Sequence, residues 1–333
     1  MIKNTLTKFA AAAIAAAALL TSSCSTDVDL LENYKPVTVV YGLLNVNDSI
    51  QYIKVNKAFL GEGNAMVMAQ QSDSINYKPG DVTVQLQQIN PSTGEVLQTI
   101  NCDTTTQILK DPGTFYSPYQ LLFKTTASLD ENSNYKLVVN RVSDGAVITA
   151  VTKIIDDVTV TNPQPISQIP LYNANSQSYQ TFNLRWNHTV DAFIYSAALQ
   201  FTYYETLLVA PFTIDTLSIT MNLGEVLAGN SAEGSSKEIK IQGEAFFNFI
   251  DATVKPNVNV QRSADEFLQI FLSAGTEDLQ TYIDVNKPSI GIIQEKPVFT
   301  NINNGTGIFT SRWSTVLRNK MTSATVTKVN QIL

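Results

Sequence analysis

The chain has 333 residues, with 22 Lys and Arg against 29 Asp and Glu, and a formal net charge of −7. That balance excludes the basic footprint that nucleic acid needs and gives no grip on anionic lipid, so no nucleic-acid partner is expected. A single histidine cannot build a His-based metal cluster, and Cys102 is the only cysteine besides Cys24, so the body has no internal disulfide.

Lys3 and Lys8 precede an apolar run, Phe9 to Leu20, that ends in Thr21-Ser22-Ser23-Cys24. A positive start, an apolar stretch of roughly 7–15 residues and small residues before a cut site predict a secretory signal peptide over 1–23. The run is shorter than the roughly 20 residues a membrane span needs. The cysteine after the small residues resembles the lipobox of a bacterial lipoprotein. Thr21 stands where that motif usually has leucine, and Leu20 lies one position further back. The resemblance implies a lipidated Cys24 at the new N-terminus and a location outside the cytoplasm. Several acyl chains on one cysteine anchor stably, whereas one chain binds only marginally. Residues 24–33, with Asp27, Asp29 and Glu32, read as a polar tether. They are also similar to the acidic signals that send some Bacteroidota lipoproteins to the outer face of the outer membrane.

The body opens with strand signals. Val37 to Leu44 is β-branched and aromatic, Asn45 to Ser49 is a turn, and Ile50 to Phe59 alternates, with Tyr52 on one face and Ile53 and Val55 on the other. Val82 to Gln87 and Glu95 to Ile100 flank a turn at Asn90-Pro91-Ser92-Thr93-Gly94, which predicts a hairpin. Tyr135 to Arg141 and Ala146 to Thr152 flank Asp144-Gly145, a strong hairpin pair. Residues 34–157 therefore read as a helix-free, N-terminal β-sandwich of immunoglobulin-like size.

Asn162-Pro163-Gln164-Pro165, Pro170 and the polar stretch Asn173 to Ser178 predict a linker or long surface connection. Beyond it, Thr181 to His188 alternates with Phe182, Leu184 and Trp186 on one face, and Ala197 to Glu205 is strand-like. Glu244 to Val254 carries Phe246, Phe249 and Ile250 at helical spacing. Thr276 caps a second helix, with acids in its first turn, and Phe267 to Leu272 reads as a buried strand. The tail, Ala324 to Leu333, reads as a last strand. The expected fold class is mainly β: two immunoglobulin- or fibronectin-like β-sandwich domains, 34–157 and 158–333, the second with one or two short helices.

Two resemblances attach to these segments. Trp186 ending one strand and Tyr195 in the next are similar to the early strands of fibronectin type III domains. The stretches Val39-Val40-Tyr41-Gly42-Leu43-Leu44-Asn45, Tyr52 to Gly61 and Lys296 to Phe309 resemble a family of uncharacterised Bacteroidota outer-membrane lipoproteins, a domain of unknown function. That resemblance implies an outer-membrane lipoprotein with an outer-membrane protein as partner, and it brings no catalytic residues with it.

Chemistry is sparse. His188 sits at a strand end, within the formal sequon Asn187-His188-Thr189, and Cys102 sits in a turn without a distinctive flank. The stretch Asp130 to Asn134 starts like a calcium loop, but Tyr135 and Arg141 stand where an EF-hand needs glycine and glutamate. Asp156-Asp157 and Asp265-Glu266 are paired carboxylates of the kind glycoside hydrolysis uses. No Gly-x-Ser-x-Gly, P-loop or His-Glu-x-x-His is present. Tyr203-Tyr204 reads mainly as core. Phe115, Tyr116 and Tyr119 cluster in a loop holding Pro and Gly, which makes them the candidate partner-binding aromatics. The expectation is a lipid-anchored, non-enzymatic binding or accessory protein of the envelope, with no catalytic residue, metal or cofactor. A fimbrillin-like adhesin subunit and an extracellular glycan-acting enzyme are the alternatives.

Overall fold

A computed structural model describes residues 37–58, 64–287 and 297–333. Cys24, the signal segment and the tether lie outside the described residues, as do Phe59 to Gly61 and Lys296 of the resembling stretches. The first half carries β1 (Thr38–Leu44), β2 (Gln51–Lys57), α1 (Ala65–Ala69), α2 (Ser72–Ile75), β3 (Val82–Ile89), β4 (Val96–Asn101), β5 (Asp103–Thr105), β6 (Leu122–Thr125), β7 (Asn134–Arg141) and β8 (Val147–Lys153). Then come β9 (Val160–Asn162), β10 (Tyr172–Asn173), β11 (Ser178–Tyr179), β12 (Thr181–Asn187), β13 (Ile194–Leu207), β14 (Ile214–Leu227) and β15 (Ser236–Gln242). The chain closes with α3 (Gly243–Thr253), β16 (Val260–Gly275), α4 (Glu277–Asn286), β17 (Gly305–Lys320) and α5 (Ser323–Asn330).

The fold is mainly β, with several sheets packed in sandwich fashion. One eight-stranded sheet, in the order β14-β13-β16-β17-β1-β2-β6-β5, forms the common layer. Two smaller sheets cover it: β4-β3-β7-β8 and β15-β12-β9. The inward residues of β1, β2 and β6 (Val40, Ile53, Phe123) meet Leu86, Tyr135, Leu137 and Ile148 in one core. Those of β13 and β16 (Tyr195, Leu199, Ile270) meet Leu184, Trp186, Ile241 and the α3 face Phe246, Phe247 and Ile250 in the other. Strict in-out alternation is what lets a strand feed such a core; β7 does so over all eight of its residues. Each fully buried large apolar side chain contributes about 1.5–3 kcal/mol.

The chain passes from one core to the other between Ile154 and Ile155. The segments 34–157 and 158–333 nevertheless share the eight-stranded sheet, and residues from Pro36 onward form one compact unit. The reason is β17, 16 residues long: its first part gives Phe309 to the first core, and its later part gives Trp313 to the second. β1 pairs in parallel with β17, Val40 opposite Gly307 and Gly42 opposite Phe309. Gly307 has a φ of +107°, and a Cβ there would stand 2.0 Å from the Val40 carbonyl oxygen, so only glycine allows this approach.

Four local expectations change. The first half holds two short helices, α1 and α2; Asn64 caps α1 by accepting from the Met66 amide. The tail is a helix rather than a strand: Thr322 caps α5, and the buried Thr325 hydroxyl accepts from the Leu171 and Tyr172 amides. With α3 and α4 it makes three helices in the second half among the described residues. The 158–180 connection is packed into the second core through the buried Ile169 and Leu171. No helix among the described residues is long and apolar enough to cross a membrane.

A lysine-rimmed candidate binding cleft

The outward faces of β1 and β2 are the floor of a cleft of about 560 Å³. Cross-strand register places Val39 opposite Asn56 and Tyr41 opposite Lys54. Because side chains alternate across a strand, the burial of Val40, Ile53 and Val55 turns these four residues outward. Ile75 of α2 closes one wall, and Lys110 and Phe115 come from the loop between β5 and β6. That loop is fixed: the Tyr116 amide donates to the Ala69 carbonyl at 2.8 Å, and the Gln70 side chain donates to the Thr114 carbonyl at 2.5 Å.

Three lysines, Lys54, Lys57 and Lys110, line this cleft in an acidic protein. Lys54 donates to Gln120 Oε1 at 3.0 Å, Lys57 to the Asp73 carbonyl at 3.2 Å, and Lys110 to the Tyr116 carbonyl at 3.4 Å. Lys110 Nζ also lies 5.0 Å from the centre of the Phe115 ring. None of the three takes part in an ion pair among the described residues. Burial, and then the charge of Lys110, hold the Lys54 ammonium below its ordinary pKa. Tyr41 also meets Tyr282 edge-on, with ring centres 6.3 Å apart, across a smaller neighbouring pocket. Burial and the hydrogen bond with Tyr41 push the Tyr282 hydroxyl up to about 12.

The three aromatics singled out from the sequence part company. Phe115 lines the cleft, whereas Tyr116 is half-buried and Tyr119 is exposed, neither of them on the cleft wall. Lys54 and Lys110 are not legible as site residues from the sequence. Only the outward phase of Lys54, opposite to Ile53 and Val55, is available there.

The other chemistry-bearing residues are engaged structurally. His188 is buried; its Nδ1 lies 3.1 Å from the Tyr195 hydroxyl, which also accepts from the Thr189 amide. Burial, with the Lys237 charge, lowers the His188 pKa from 6.5. His188 lines a second cavity, of about 520 Å³, with Lys153, Asp191, Thr276 and Glu277. There Lys153 pairs with Asp191 at 2.9 Å, and Thr276 caps α4 while bonding Thr310 at 2.6 Å. Burial and the neighbouring Asp103 push the Cys102 thiol up to about 11, the reverse of an activated nucleophile. Asp130 accepts from Ser133, Asn132 and Gln88, and its carboxyl is held below the usual range. Asp157 accepts from Trp313 Nε1, Asp265 from Tyr204, and Glu266 pairs with Lys320. Tyr203 is buried and stacks on Phe201.

No family model matches the chain, and neither does any curated protein. Among solved structures, the chain is similar to the C-terminal globular domain of an oligosaccharyltransferase from Pyrococcus abyssi. That match has 8% identity, a TM-score of 0.25, and covers 73% of this chain and 50% of the other. The chain thus spans half the length of that neighbour, and at this score the likeness carries nothing about activity.

Proposed function

We propose that this chain is a lipoprotein of the bacterial cell envelope, held at the outer membrane by acyl chains on Cys24, with a non-enzymatic binding or accessory role. The reading of its location rests on the N-terminal pattern. The reading of its role rests on one observation: a concave, partly apolar surface carries Phe115, Tyr41 and three lysines that have no ion-pair partner among the described residues. Uncompensated charge beside exposed rings is costly for a fold to keep and is useful for binding. Mass spectrometry of the mature N-terminus tests the location, and an unacylated first residue overturns it. For the role, envelope proteins extracted in detergent are passed over the immobilised chain. Material retained by the unaltered chain and lost with Tyr41→Ala or Phe115→Ala supports the reading; equal retention by all three overturns it.

A second reading, a subunit that polymerises by strand addition, is favoured by β14. This strand is one edge of the eight-stranded sheet, it is largely exposed, and its only charges are Asp215 and Glu225. Long, weakly charged edges invite pairing with another chain. Polymers seen by electron microscopy would favour it.

A further inference from the structure

The cleft's lining narrows what it accepts. Its floor and walls (Val39, Tyr41, Ile75, Phe115) offer aliphatic and ring surface, and its rim offers Lys54, Lys57 and Lys110. We infer that it takes a small amphipathic anion: a carboxylate, sulfonate or similar headgroup on an apolar body. This inference rests on the binding reading above and adds the ligand's chemistry to it.

Charge complementarity carries the inference. Each lysine is held near the cleft by a neutral acceptor: an amide oxygen from Gln120, or a backbone carbonyl from Asp73 or Tyr116. Neutral acceptors fix an ammonium in place and leave its charge uncancelled. In a chain with more acids than bases, an evenly mixed surface would have placed carboxylates beside them. An arriving anion therefore gains charge-assisted hydrogen bonds with no ion pair among the described residues to displace. It also relieves the repulsion between Lys54 and Lys110. The apolar floor excludes a purely hydrated ion such as free phosphate as the best occupant, because its burial there gains nothing from Val39, Ile75 or the rings.

The probe is 8-anilinonaphthalene-1-sulfonate, titrated into the full chain carrying Cys24→Ala so that no acyl chain competes for it. Saturable binding of one equivalent is expected, displaced by dodecanoate and not by inorganic phosphate or by uncharged dodecanol at equal concentration. Lys54→Met and Lys110→Met each weaken it by about tenfold, the usual loss when one charged hydrogen-bond partner goes. Circular dichroism and Tm confirm that the variants are folded. If both lysine variants bind as tightly as the parent while Tyr41→Ala and Phe115→Ala lose binding, the anion inference falls and the binding cleft stands. If no variant changes binding, or none occurs, both fall.

Discussion

The two cavities of similar size, about 520 Å³ beside His188 and about 560 Å³ beside Phe115, differ in how their charges are spent. In the first, Lys153 pairs with Asp191, and His188 sits against the Tyr195 hydroxyl, with Trp186 packed on the Tyr195 ring at 5.1 Å. In the second, among the described residues, the lysines meet only neutral acceptors. In the first, the lysine charge is cancelled within the fold, although Glu277 and Asp278 also line it; in the second, lysine charge is left over among the described residues and has something to offer an anion.

That contrast can be broken by substitution. Trp186→Ala, which removes the ring packed on Tyr195, should cost about 3–5 kcal/mol in urea unfolding, because Trp186 is fully buried core. Phe115→Ala should cost far less, since that ring is 44% exposed, yet abolish probe binding. If the two costs come out equal, the distinction between a core ring and a cleft ring collapses.

Tyr195→Phe comes next. Removing the hydroxyl leaves the Thr189 amide and His188 Nδ1 without their partner and should cost about 1–3 kcal/mol. Protonation attacks the same contact. His188 has a folded-state pKa below 6.5, so stability is full above about 6.5 and falls as pH drops toward the lower folded value. His188→Asn should flatten this part of the profile. Because the chain has one histidine, its imidazole resonance reads the folded pKa directly, and a value above 6.5 would refute the assignment.

The smallest effects separate the lysines. Lys153→Met breaks a pair whose lysine is largely exposed and should change stability by less than about 1 kcal/mol. Lys54→Met removes a partly desolvated charge and should raise Tm slightly while weakening anion binding. That opposition of stability and function is what a functional charge, and no structural one, produces. A fall in Tm would mean that the bond to Gln120 matters more than the desolvation.

Much of the fold is legible locally. The Asp144-Gly145 hairpin forms as expected, with Gly145 at a φ of +70° and Arg141 gripping Asp144 at 2.8 and 2.7 Å. Thr276 caps α4, as its place before two acids predicts. The tail departs from its strand-like composition. Thr325, Val326, Thr327 and Val329 are β-branched and favour a strand, but the Thr322 cap and the burial of Thr325 and Val329 on one helical face override that preference. β14, β15 and β17 are not legible as strands in the sequence: the pattern of β14 is mostly exposed, and β17 changes core partway along.

The sequence by itself determined which residues alternate, where hairpins turn and where helices start, because those follow from neighbours a few positions apart. It also placed Phe115 in a loop holding Pro and Gly. Only the tertiary structure decided that the stretches around Gly42 and Gly307, far apart in the chain, lie side by side, with Gly42 making room for the Phe309 ring. Only it decided that Lys54 and Lys110 share one cleft. A lone lysine is by default a solvated surface group, and what makes it more than that, burial and the lack of a counter-charge, is a property of the assembled surface rather than of the chain.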